Sequence, residues 1–252
     1  MLKKPSIKIA NQLSIAFETN GNGYIGYVVE LPGAFVRGKT EREAVAKVNR
    51  EVNLYLKWLG LKSKTDYKIQ IVQRHQSNLR VEDADNEILL EADKGVIGEE
   101  DLGDLFELVR YSGESFLQLY TKTKLKDWVD EKRIRKTFYG DNPKCVQEIF
   151  DHVRACQYYY LSRNKVPFEK REEDFLKIRR YCSEKIKRLY AENNNSTIYE
   201  VDDELWTLKK ILRRFIWHDR IHGKAMLRIL EKQKQAGIIK RYEDPFYFMK
   251  ET

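Results

Sequence analysis

Cysteine is scarce in this sequence. Its three copies, Cys145, Cys156 and Cys182, are odd in number and widely spaced. That excludes a disulfide scaffold and points to a reducing compartment. No apolar run reaches the roughly 18 residues that mark a membrane-spanning helix. The opening MLKKPSIKIANQLS carries lysines but no apolar core, so a signal peptide is not expected. Together these absences predict a cytoplasmic protein without a membrane partner. There is no G-x-G-x-x-G, Walker loop, C-x-x-C pair or Ser-His-Asp signature, which removes the usual sequence grounds for nucleotide binding, dithiol chemistry or serine hydrolysis. Histidine is rare too, with four copies, so where they fall carries information.

What is present is an ordinary globular balance. The 252 residues are 42% hydrophobic and 34% charged, enough for a buried core in one large domain or two modest ones. The net charge is +8. Basic residues are interleaved with acids, as in REEDFLKIRRYCSEKIKRLY (171–190). That reads as a solvated helix face with i,i+4 pairs rather than a polyanion footprint, so nucleic acid is not the expected partner.

Two regimes divide the chain. Residues 1–75 alternate like strands. ANQLSIAFETN (10–20) leads through the turn NGNG to GYIGYVVELPG (23–33), followed by GAFVRG (33–38) and YKIQIVQR (67–74), with Tyr67, Ile69 and Ile71 on one face. Between them KTEREAVAKVNREVNLYLKWLG (39–60) reads as one helix. Thr40 and Glu43 form its capping box, Ala44, Val48, Leu54, Leu56 and Leu59 its apolar side, and Gly60 its end. The predicted module is β-β-β-α-β with one covered face. Residues 76–103 are acidic and poorly periodic, so the boundary is placed there, with an α/β module over 1–95 and a helical part over 100–252. Four amphipathic helices are expected: 104–120; 142–163, capped by Asn142 with Pro143 in its first turn; 172–193; and one from Asp202 as cap to about Gly237. A short extra helix fits around LKDWVDEK (125–132). The fold class is α+β, a small sheet module followed by a four-helix bundle.

Three of the histidines fall on these helices. His218 and His222 are four apart and fill the gaps in an apolar stripe of Leu208, Ile211, Phe215, Ala225 and Ile229. His152 occupies the same kind of position among Ile149, Cys156 and Tyr159. Three inward imidazoles can converge on one divalent ion and leave coordination positions open for water or substrate. The bland alternative is three satisfied core histidines. Burying unpaired imidazoles is costly, which favours the ion. Cys156 and Tyr159 share the His152 face, as pocket neighbours or as packing. Asp151 and Asp219 diverge by about 100° from the histidines they adjoin and are read as lying at the surface or behind the ligands. Arg213 and Arg214 are read as solvated, and His75 as a surface residue.

The segment FYGDNPKCVQEIFDHVRACQYYYL, followed later by LRRFIWHDRIHGKAMLRIL, resembles the DinB-like superfamily of metal-binding four-helix proteins, with His152 matching its single histidine and His218 and His222 its H-x-x-x-H pair. The resemblance implies a divalent ion, nickel or zinc, and activities such as thiol-dependent transfer on a small-molecule substrate. A low-molecular-weight thiol cofactor and a homodimer are further implications. GYIGYVVELPGAFVRGKTEREAVAKVNREVNLYLKWLG resembles the HicB antitoxin-like fold through its LPG strand end, its R-G-K-T turn and Glu43-Ala44. No DNA-binding segment follows it, which departs from an antitoxin. Two functions are therefore carried: a metal-dependent transferase or hydrolase with an open three-histidine site, or a non-enzymatic regulator whose HicB-like module contacts protein or RNA and whose metal is structural.

Overall fold

The computed structural model describes residues 4–5, 7, 9–62, 66–77, 87–137, 140–169 and 172–249. The NGNG turn folds as its composition dictates. It joins β1 (Gln12–Thr19) to β2 (Tyr24–Val28) in an antiparallel hairpin with Thr19 opposite Tyr24. β3 (Phe35–Gly38) pairs antiparallel with β2, and β4 (Lys68–Gln76) pairs parallel with β1, giving the order β3-β2-β1-β4. The β1–β4 register slips once, between Ile15 and Ala16. Val72 is the extra residue and is left outward, and the alternation of inward and outward positions runs on past it to Gln76.

The helix expected over 39–60 is two pieces, α1 (Glu41–Val45) and α2 (Val48–Leu59). Thr40 caps α1, accepting from the Glu43 N–H at 3.1 Å, while the Glu43 carboxylate reaches back to the Lys39 N–H at 2.9 Å. Gly60 ends α2 at φ +72°, a left-handed conformation that glycine adopts without a Cβ penalty. The buried side of α2 includes Tyr55 and Trp58, while Leu54 is half-buried.

The expectation of a single covered sheet face is corrected. Leu13, Ile15, Phe17, Val28 and Val36 belong to the same buried cluster as α2. On the other side Ala16, Ile25, Tyr27 and Phe35 are buried against Ile88, Leu90 and Trp217. The large cluster runs on without a break into the helical half.

The acidic segment in which the boundary was placed is anchored where it is described. Ile88, Leu89 and Leu90 are buried. The Asp93 carboxylate accepts from Arg213 at 2.5 Å, and Thr207 and Asn195 donate to the Asp93 carbonyl. Residues 78–86 of that segment lie outside the described residues.

Four long helices follow: α3 (Glu99–Lys122), α4 (Val146–Ser162), α5 (Phe175–Asn193) and α6 (Leu208–Gln235). α6 packs on α3 and α4, and α5 packs on the same two. Their starts differ from the sequence expectations for local reasons. α3 begins at Glu99, with three acids in its first turn favouring the positive helix end. α4 is capped by Cys145 rather than Asn142, whose amide is occupied with the Arg133 and Pro143 carbonyls. Asp202 does not cap α6. Asp202 and Asp203, both at positive φ, turn the hairpin between β7 (Tyr199–Val201) and β8 (Glu204–Trp206), and Thr207 is the cap. A second small hairpin, β5 (Lys136–Thr137) with β6 (Gly140–Asp141), precedes α4. The extra helix expected at 125–132 is only a 3-10 turn over Glu131–Arg133. Among the described residues no helix is long and apolar enough to cross a membrane.

Candidate metal centre

α6 is the central helix, and from Leu208 to Arg220 it is buried almost all the way round. A helix sunk so deep must place polar residues inside or give up its apolar stripe. Here the stripe of Ile211 and Phe215 continues into His218 and His222. α4 crosses it with Ile149 and Val153 buried, and His152 stands beside them. The two helices bring the three imidazoles together. The ring centroids are 4.3 Å apart for His218–His222, 4.7 Å for His152–His222 and 5.0 Å for His152–His218. Their ligating nitrogens all lie within 4.8 Å of one another, and no other candidate group of metal-binding side chains is found among the described residues.

The closest pair, His152 Nε2 and His218 Nε2, is separated by 3.2 Å. Two nitrogens bound to one ion at their usual distances sit roughly 2.9–3.4 Å apart, so this pair has ligand spacing. The same separation accommodates one N–H···N hydrogen bond, which is the core-histidine alternative. His222 is packed against both rings and is half-buried, so its ring can be turned to an ion or reach solvent.

The electrostatics keep these rings neutral. Burial holds His218 well below the ordinary histidine range, helped by His222, His152 and Arg214. Burial does the same to His222, with His152, Arg133 and Arg37 adding to it. His152 is lowered by burial alone. Neutral imidazole is the ligand form, so the ligation penalty from protons is already small near pH 7. Arg37 comes from β3, so the N-terminal sheet contributes to the field at this centre.

Around the three rings the sequence expectations meet mixed results. The Cys156 Sγ is 3.8 Å from both ring nitrogens of His152, as a neighbour on the same face. Burial pushes its thiol up to about 11, partly offset by Arg214. Tyr159 is 44% exposed, with the Arg163 guanidinium 4.2 Å over its ring. The tyrosine that reaches the centre is Tyr160, buried and edge-on to His218 at 5.3 Å. One residue is about 100° of helix, and α6 lies to the Tyr160 side of His152. Asp151 is at the surface with Arg154, as expected. Asp219 is fully buried. Its carboxylate accepts from Arg179 at 2.8 and 2.9 Å and from the Ser112 hydroxyl at 2.6 Å. Arg213 and Arg214 are buried as well, so their reading as a solvated face is also corrected. Sequence reasoning passed over Tyr160, Arg37 and Arg133. Tyr160 could have been found by helix geometry, whereas the two arginines come from β3 and a turn far away in sequence.

No protein-family model matches the chain, and the comparisons with curated proteins and with solved structures found no match either. The chemistry of the centre has to carry the functional reading.

Proposed function

We propose that this chain is a divalent-metal protein whose ion is held by His152, His218 and His222, and that it is a metal-dependent enzyme of the DinB-like type. The observation that supports this best is the convergence of three imidazoles from two helices, with their ligating nitrogens within 4.8 Å of one another. Three protein ligands leave open positions, the arrangement of catalytic rather than purely structural sites. A bound ion would supply Lewis acidity, lowering the pKa of a water or a substrate thiol. The protein's own groups do the rest. Buried aromatic side chains at Tyr160 and Trp217 flank His218 and limit solvent there. Arg37, Arg133 and Arg214 set a positive field that opposes a bare cation at the rings and would be offset by an anionic substrate or hydroxide bound with the ion. Zinc or nickel suits an imidazole set. Thiol-dependent transfer and hydrolysis are the reactions to screen first. The N-terminal sheet is proposed to be HicB-like in fold but to serve here as a wall of the enzyme. Its two faces are buried, which removes the broad surface a regulator would use.

Metal content of tag-free protein tests the proposal. The parent should hold about one ion per chain, and His152→Ala and His218→Ala should each lose it. A parent that stays empty after incubation with zinc and with nickel would refute it.

A further inference from the structure

A second concave site lies on the other flank of α6, where the sheet meets the helices. Its cleft of ≈ 310 Å³ is walled by β3, α2 and α6. Five cations line it (Arg37, Lys47, Arg50, Lys224 and Arg228) against one carboxylate, Glu51. That carboxylate is already taken up by the buried Arg220, at 2.8 Å. Lys47 is held by Glu43 and by the Arg37 carbonyl, both at 2.7 Å. Arg50 and Arg228 have no ion pair or hydrogen bond among the described residues, and both are exposed at the rim. The half-buried Lys224 has two aromatic faces beneath its ammonium, Phe35 at 5.3 Å and Phe248 at 5.1 Å, and no ion pair at contact distance among the described residues; Glu51 acts on it from farther off. Apolar side chains, Leu54 and Ile221, complete the wall.

A collection of like charges around a concavity is unfavourable unless something of opposite sign enters it. Elsewhere on this chain the exposed cations commonly pair with acids three or four residues away, as Lys94 does with Glu91 and Arg154 with Asp151. In this cleft that pattern fails for Arg50, Lys224 and Arg228, which come from two different helices. Guanidinium forks match the oxygens of phosphates and carboxylates. The apolar wall suits an organic remainder, and the volume is at the small-ligand end of binding pockets. The geometry points to a binding site for a small organic molecule bearing phosphate or several carboxylates, held by Arg50, Lys224 and Arg228. Arg37 connects this cleft to the metal centre, since it acts electrostatically on both Lys224 and His222. The inference itself does not depend on metal binding.

Isothermal titration of the full chain with inorganic pyrophosphate, and separately with citrate, tests it. The two probes distinguish a phosphate ligand from a polycarboxylate. Saturable binding of at least one is expected, weakened about 10-fold or more in Arg50→Glu/Arg228→Glu. The control Lys68→Glu/Arg180→Glu makes the same charge change at exposed positions elsewhere and should bind like the parent. Any heat from stripping a metal would be common to all three proteins, so the difference among them reports the cleft. Circular dichroism of the variants establishes that they are folded. No saturable binding of either probe at millimolar concentration would overturn the inference. Equal weakening in the control would also overturn it, reducing the effect to net charge.

Discussion

Acid should destabilise the metal-free protein in a window where almost nothing else titrates. An imidazole in an unfolded chain has a pKa near 6.5. In the folded chain burial holds His218 and His222 well below that value, with His152 lowered in the same direction. The unfolded state therefore binds more protons than the folded state, and stability must fall as the pH drops through about 6.5. It is fully present above that pH and is lost on the way down to the folded values. At pH 5.5, one unit below the unfolded value, a histidine kept neutral by the fold costs on the order of 1 kcal/mol at most. His218 and His222 together cost at most roughly 3 kcal/mol, which would be a large part of the stability of an ordinary domain. For a chain of this size the ceiling corresponds to a fall in Tm of about 10 °C between pH 7.5 and 5.5.

Thermal unfolding of protein stripped with chelator, at those two pH values, reads the effect directly. His218→Leu/His222→Leu should abolish most of it. Zinc should raise the Tm at pH 7.5 and lose its effect toward pH 5.5, because ligation needs the deprotonated rings. A metal-free parent with the same Tm at both pH values would refute the burial argument. So would a double variant that keeps the full pH dependence.

Further perturbations test the scaffold that holds the centre. Asp219→Leu strands the Arg179 guanidinium in the core and should cost about 3–5 kcal/mol, whereas Arg179→Met/Asp219→Leu should recover most of that loss; a double variant no better than the single would show that the pair does more than neutralise itself. Gly33 sits at φ +89°, and a Cβ there would come 2.6 Å from Ile216 Cγ2 on α6. Gly33→Ala should therefore lower the Tm distinctly more than Gly60→Ala, where the conformation is also left-handed but the first obstacle is the mobile end of Lys4. Equal losses would mean that contact between the sheet and α6 contributes little.

Local rules made the fold largely legible. The NGNG hairpin, the Thr40 cap, the Gly60 stop and four long amphipathic helices each follow from a few neighbouring residues. Cap placement failed where two signals competed. Asp202 and Asp203 are good caps and good turn formers, and a two-residue hairpin took them, leaving Thr207 to start α6. The anchoring of the acidic segment was hidden for a different reason. Asp93 is an internal partner for Arg213, and no local pattern reveals a partner on α6.

The histidine cluster was legible because its members interrupt apolar stripes, and periodicity is something a sequence shows. Its surroundings were not. Buried charges such as Arg179, Asp219, Arg213 and Arg220 look in sequence like any solvated helix face. They become recognisable only once their partners arrive from other elements. The same limit explains the basic cleft, whose arginines and lysines are contributed by β3, α2 and α6. Charge pattern along one helix predicts pairing within that helix. When Arg50, Lys224 and Arg228 fail to pair locally, the failure is meaningful only because the fold gathers them around one hollow. An inward imidazole can therefore be inferred before folding, whereas an unneutralised cation acquires its meaning from the tertiary structure.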